Sequence, residues 1–113
     1  MIFDKLDSTN RFATEMINDI HKPTWILALN QVAGFGRQGR LWIHKKGNFA
    51  ATLILFPNQE DMYLMRSFVA SLALYETFVN LIRNKSIISL KWPNDVLING
   101  KKVSFTGSYF FCP

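Results

Sequence analysis

At 113 residues the chain has room for one domain, and 49% hydrophobic with 14% aromatic content supplies a packed core and excludes a disordered chain. A single cysteine, Cys112, excludes an internal disulfide and a cysteine-built metal site, no apolar run nears the roughly 20 residues that span a bilayer, and no secretory leader is visible, so the expected location is cytoplasmic. The net charge of +5 is concentrated, because no Asp or Glu falls between Ile20 and Gln59 while Lys22, Arg37, Arg40, Lys45 and Lys46 all do. Such a field draws nucleotides, acidic carrier proteins or nucleic acid, and charge alone does not choose among them.

Ile2 to Leu6 reads as a short strand. Asp7-Ser8-Thr9-Asn10 offers several helix caps, and Phe12, Ala13, Met16, Ile17 and Ile20 recur at helical spacing, which predicts a helix from Thr9 to Asp19 capped by Asp7 or Ser8. A helix start rich in hydroxyls also presents unpaired backbone N–H groups to a ligand, so Ser8 and Thr9 carry two readings, cap and contact. Pro23 breaks the chain, and Thr24 to Gln31 reads as a buried strand of β-branched, aromatic and aliphatic residues. Asn48 to Phe56 is the next strand, stopped by Pro57-Asn58. A stripe of Met62, Met65, Phe68, Val69, Leu72, Tyr75, Phe78, Val79 and Ile82 predicts a helix from Asp61 to Arg83 with these residues in the core. Ser86 to Lys91 is a strand, and Asn99-Gly100 between Val96-Leu97-Ile98 and Lys101-Lys102-Val103 predicts a hairpin with a type I′ turn, Lys102 on its return strand.

Between the second and third strands stands Gly34-Phe35-Gly36-Arg37-Gln38-Gly39-Arg40, followed by Leu41-Trp42. Glycines allow close approach and unusual backbone angles, and two arginines supply fixed cationic forks suited to phosphate or carboxylate. The segment reads as an anion-binding loop or as a solvated glycine hairpin. It is not a Walker loop, having no Gly-Lys-Ser/Thr, and no helix follows it as the dinucleotide fingerprint requires. His44 lies in the same connection without a partner at metal-ligand spacing, and no metal site is expected.

Asp-Ser-Thr-Asn, then Gln-x-Ala-Gly-x-Gly-Arg-x-Gly-Arg-x-Trp, then Lys-Trp-Pro-Asn-Asp-Val-Leu with Lys101-Lys102 after it, resembles in order and spacing the catalytic domain of biotin protein ligases, from Phe3 to Ser104. The motifs are closer to this branch than to the related lipoate ligases. The resemblance implies an α/β (α+β) fold, a mixed β-sheet flanked by helices, in a single domain over 1–113. It implies ATP-dependent activation of biotin to biotinyl-5′-AMP with Mg2+, and transfer to a lysine of a biotin carboxyl carrier protein of acetyl-CoA carboxylase or a related enzyme. Carried across by residue, Ser8 and Thr9 hold the ureido head of biotin and Gln31 hydrogen-bonds the ligand. Gly34 gives backbone contact, Arg37 binds the biotin carboxylate and α-phosphate, and Arg40 meets the nucleotide phosphates. Trp42 packs on biotin or adenine, Lys102 lies between carboxylate and α-phosphate, and Asp95 steers or deprotonates the acceptor lysine.

Departures are visible. Phe35 stands where the family usually has an arginine, and Gln38 where it is often basic. After Val103 the family continues with a small residue, Gly-Ile-Leu and a glutamate, whereas this chain reads Ser104-Phe105-Thr106-Gly107 and ends at Pro113. The resemblance therefore implies a truncated catalytic domain, without a winged helix or DNA binding and without the small carboxy-terminal domain. Uncovered apolar residues such as Phe110 and Phe111 predict a homodimer or strand-exchanged oligomer. Two other readings are a non-catalytic biotin-binding fragment lacking a complete ATP site, and nucleic-acid binding through the basic loop with Phe35 and Trp42 as stacking platforms.

Overall fold

Side chains alternate faces along a strand, so Trp25, Leu27 and Leu29 are directed to one side of Thr24–Ala28 and Ile26 and Ala28 to the other. In the computed structural model, which describes residues 1–56, 65–82 and 87–107, Ile26 and Ala28 are buried while Trp25 is exposed. The chain divides into two compact units, Met1–Asn58 and Gln59–Pro113.

In the first unit, β1 (Ile2–Phe3), β2 (Thr24–Ala28) and β3 (Ala50–Ile54) form a mixed sheet in that order. β1 runs parallel to β2, pairing Ile2 with Leu27, and β2 runs antiparallel to β3, pairing Ile26 with Thr52 and Ala28 with Ala50. Helix α1 (Thr9–Glu15) contacts β2 and β3 and buries Ala13 against Ile26 and Ile54, with Ile20 in the same cluster. Phe3 and Phe12 close its edge at a ring separation of 4.7 Å. The helix stops short of the expected Asp19, at the cap residue Met16, and turns continue to Asp19. Asn18 and Asp19 are residue types of low helix propensity, and Ile20, just beyond the turn, still reaches the core. Strands β1, β2 and β3 are likewise shorter than the patterns over 2–6, 24–31 and 48–56 predict.

The second unit joins α2 (Arg66–Leu81) to an antiparallel sheet of β4 (Ile88–Lys91), β5 (Asp95–Ile98) and β6 (Lys101–Phe105). The expected extensions to 61–64, Arg83 and Ser86 lie outside the described residues, as do Phe110, Phe111 and Cys112. Asn99 (φ 51°) and Gly100 (φ 73°) both occupy the left-handed region, as the predicted type I′ turn requires. Ile88 and Val96 share the buried face of the sheet. The apolar stripe of α2 is only partly core: Phe68, Tyr75 and Phe78 are half-buried, Met65, Val69 and Leu72 are exposed, and the one fully buried residue of the helix is Ser71. Apolar residues occupy more than one face of this helix, and the face withdrawn from water is the one that carries Ser71. Ser71 Oγ donates to the Ser67 carbonyl at 2.6 Å and lies 2.8 Å from Thr106 Oγ1, so its burial leaves no polar atom stranded.

Candidate functional site

Two of the three motif segments lie in the first unit, and backbone hydrogen bonds draw them together. After β2 the chain runs alongside the approach to α1: Leu6 N–H donates to the Asn30 carbonyl, Val32 N–H to Leu6 and Ala33 N–H to Asp7, at 2.8–3.0 Å, and Leu6 and Gln31 form a parallel bridge. Side chains continue the link. Gln31 Oε1 accepts from the Thr9 N–H at 3.0 Å and from Thr9 Oγ1 at 3.3 Å. Thr52, on the buried face of β3 opposite Ile26, donates from Oγ1 to Thr9 Oγ1 at 3.0 Å. Ser8 is the helix cap, with extended backbone (φ −154°) and Oγ accepting from the Arg11 N–H at 3.4 Å. Ser8 and Thr9 are both buried. The N–H of Thr9, which the sequence leaves open to a ligand, is thus taken by Gln31.

Gly34 completes this cluster because a side chain there has no room. An added Cβ would overlap Gln31 Nε2 and stand 3.0 Å from the Trp42 carbonyl. The glycine segment is a narrow hairpin: Trp42 N–H donates to Gly34 at 2.9 Å, Gly36 N–H to Arg40 at 2.6 Å, and Phe35 bridges to Leu41. Its tip is a 3-10 turn, Arg37–Gly39, with Gln38 (φ 59°) and Gly39 (φ 71°) in the left-handed region. Arg40 is exposed at the base of the tip, with Nη2 3.4 Å from Gln38 Oε1, and Trp42 is half-buried. The side chain of Arg37 lies outside the described atoms. A cleft beside the start of α1, bordered by Lys5, Asp7, Ser8 and Arg11, shares only Ser8 with the expected contacts.

The third motif segment lies in the second unit. Trp92-Pro93-Asn94 turns β4 into β5, and Asp95 opens β5. Leu97 pairs with Lys102, and Asp95 shares the face of Leu97, so Lys102 reaches Asp95 diagonally; Nζ and Oδ1 are 2.8 Å apart. The Asp95 side chain is 15% exposed and that of Lys102 42%. A bulge between Val96 and Leu97 shifts the register so that Asp95 faces Phe105 along the backbone.

Sequence reasoning passed over four residues. Thr52 supports Thr9, and its signal was a lone polar residue on the inward face of an apolar strand. Asn94 is buried; its side-chain amide donates to the Thr106 carbonyl, Thr106 N–H returns to the Asn94 carbonyl at 2.9 Å, and Thr106 Oγ1 donates to Ser67 at 2.9 Å. Thr106 and Ser71 gave no local signal, because their partners lie more than 30 residues away or on another element.

The family model described as biotin/lipoate A/B protein ligase matches residues 2–109. A biotin–[acetyl-CoA-carboxylase] ligase of Paracoccus denitrificans is 43% identical over 101 residues, covering 88% of this chain and 42% of that protein. The bifunctional ligase/repressor BirA of Bacillus subtilis is 38% identical over 103 residues, and the match takes in 88% of this chain and 31% of BirA. The chain therefore spans less than half the length of these relatives. Among solved structures, biotin protein ligase from Aquifex aeolicus in complex with biotin and ATP superposes with a TM-score of 0.82 at 30% identity, over 93% of this chain and 44% of that one. With the family model matched over nearly the whole sequence, the chain belongs to the biotin/lipoate A/B protein ligase family.

Proposed function

We propose that the chain carries out biotin protein ligation: biotin and ATP give biotinyl-5′-AMP, and the biotinyl group passes to a lysine of a biotin carboxyl carrier protein. The observation that carries this reading is the bonding of Thr9 to Gln31 beside Gly34, which joins two separate motifs in one polar cluster. Likeness to a biotin–[acetyl-CoA-carboxylase] ligase and to a ligase solved with biotin and ATP supports the substrates.

In the first step a biotin carboxylate oxygen attacks the α-phosphorus of ATP, a P–O bond forms, and pyrophosphate leaves. Two anions must approach, and Lys102 and Arg37 offset that repulsion most as charge builds in the transition state. Ser8, Thr9 and Gln31 hold the ureido head, Gly34 admits it close to the backbone, and Trp42 covers it. Arg40 meets the nucleotide phosphates. In the second step the acceptor amine attacks the acyl carbon, AMP leaves, and Asp95 takes the amine proton. In this reading Mg2+ enters with the triphosphate. In this reading the chain is a single, truncated biotin protein ligase-like catalytic domain that works in the cytoplasm. Among the described residues no helix is long and apolar enough to cross a membrane.

A second reading, a biotin-binding fragment without adenylate formation, is favoured by Phe35 and Gln38 in the glycine loop, where the resemblance implies basic residues for the nucleotide phosphates. The purified chain incubated with biotin, Mg2+ and α-labelled ATP, followed by chromatography, separates the two. Labelled biotinyl-adenylate is the expected product; binding of biotin without it selects the fragment, and neither result leaves the family membership without the function.

A further inference from the structure

The face of the second sheet that bears Asp95 carries more charge than the Asp95–Lys102 pair uses. Asp95 lies on the central strand, β5. On β4 its direct register partner is Lys91, and on β6 Lys102 approaches from the position opposite Leu97. Directly opposed residues of an antiparallel pair share a face with Cβ atoms about 5 Å apart, so Asp95 has one lysine on each flanking strand. Only one is engaged: Lys102 Nζ is at 2.8 Å, while Lys91 is exposed and forms no ion pair among the described residues.

A carboxylate withdrawn to 15% exposure is stabilised by a neighbouring cation and destabilised when that cation leaves. In the ligase reading, on which this inference rests, Lys102 turns from Asp95 toward the anionic ligand. We propose that Lys91 is the exchange partner: Asp95 holds Lys102 in the free chain and passes to Lys91 when Lys102 turns to the ligand. Lys91 is then a positioning residue. It lowers the cost of releasing Lys102 and keeps Asp95 ordered for the incoming amine. Lys101 carries the same charge one residue away from Lys102, but it pairs with Ile98 and belongs to the opposite face, so it does not substitute.

The test uses the full chain in two arms. In the first, without ligand, ammonium signals of 15N-labelled lysine are recorded for the wild type and for Lys102→Met. The Lys91 ammonium is expected to exchange its protons with water more slowly in the variant, having taken over Asp95; unchanged exchange overturns the proposal. In the second, a non-hydrolysable sulfamoyl analogue of biotinyl-adenylate is titrated by calorimetry. Lys91→Met is expected to weaken binding about threefold to fivefold, the scale of a part-exposed ion pair, with Lys91→Arg restoring it and Lys101→Met leaving it unchanged. In an Asp95→Asn background the Lys91→Met effect should vanish. Equal losses from Lys91→Met and Lys101→Met would mean general charge attraction and overturn the exchange. If the wild type does not bind the analogue, the ligase reading fails, and the first arm still decides whether Lys91 takes over Asp95.

Discussion

Gly34 shows how one missing side chain organises a cluster. A methyl group there would collide with the Gln31 amide, and because the opposing Trp42 carbonyl at 3.0 Å is backbone held by the hairpin, it is the Gln31 side chain that must give way. Gly34→Ala should displace Gln31 from Thr9, cost about 1–3 kcal/mol of stability and weaken biotin binding at least tenfold, read by denaturant unfolding and calorimetry. Lys102 makes the opposite case. Its ion pair lies at a part-exposed surface, so Lys102→Ala should change stability by less than about 1 kcal/mol while abolishing adenylate formation. Equal loss of folding and activity would undo its assignment to chemistry. The residue types at these positions were legible in the sequence. Their mutual bonding was not, since it depends on the chain returning, 22 positions later, to the helix start.

At the scale of elements, the second unit is fastened through polar contacts as well as apolar ones. Thr106 bonds to Ser67 and Ser71 on α2 and, through its backbone, to Asn94 before β5. Thr106→Val keeps the shape and removes the hydroxyl, so unfolding in urea should show a loss of about 1–3 kcal/mol, while Thr106→Ser should retain most of the wild-type stability. Ser104 behaves in the reverse sense. Its Oγ is buried with no hydrogen-bond partner among the described residues, so Ser104→Ala should be neutral or raise stability by about 1 kcal/mol. The helices, strands and Asn-Gly turn followed from periodicity and turn chemistry. Their ends, and the face that α2 buries, did not: periodicity marks an apolar face, whereas the helix has several, and the one that packs closely carries Ser71.

For the whole molecule, exposed apolar side chains bear on association. Trp25 is 55% exposed and its cross-strand partner Leu53 37%, with Leu29 exposed beyond them. Apolar surface of this kind favours self-association, expected as a mass above one chain that falls on dilution in light scattering; a monodisperse monomer would count against it. The amino-acid sequence by itself determined the mixed α/β class, the order of the elements, the turn at Asn99-Gly100 and the three motifs that mark the family. These depend on local dihedral preferences, side-chain period and residue identity, all carried by short windows. Only the tertiary structure decided that Thr52 supports Thr9, that Gln31 rather than solvent meets the Thr9 N–H, and that Asp95 stands between two lysine-bearing strands. Those facts depend on strand register and chain return, where a shift of one residue moves a side chain to the other face, and no short window of sequence records them.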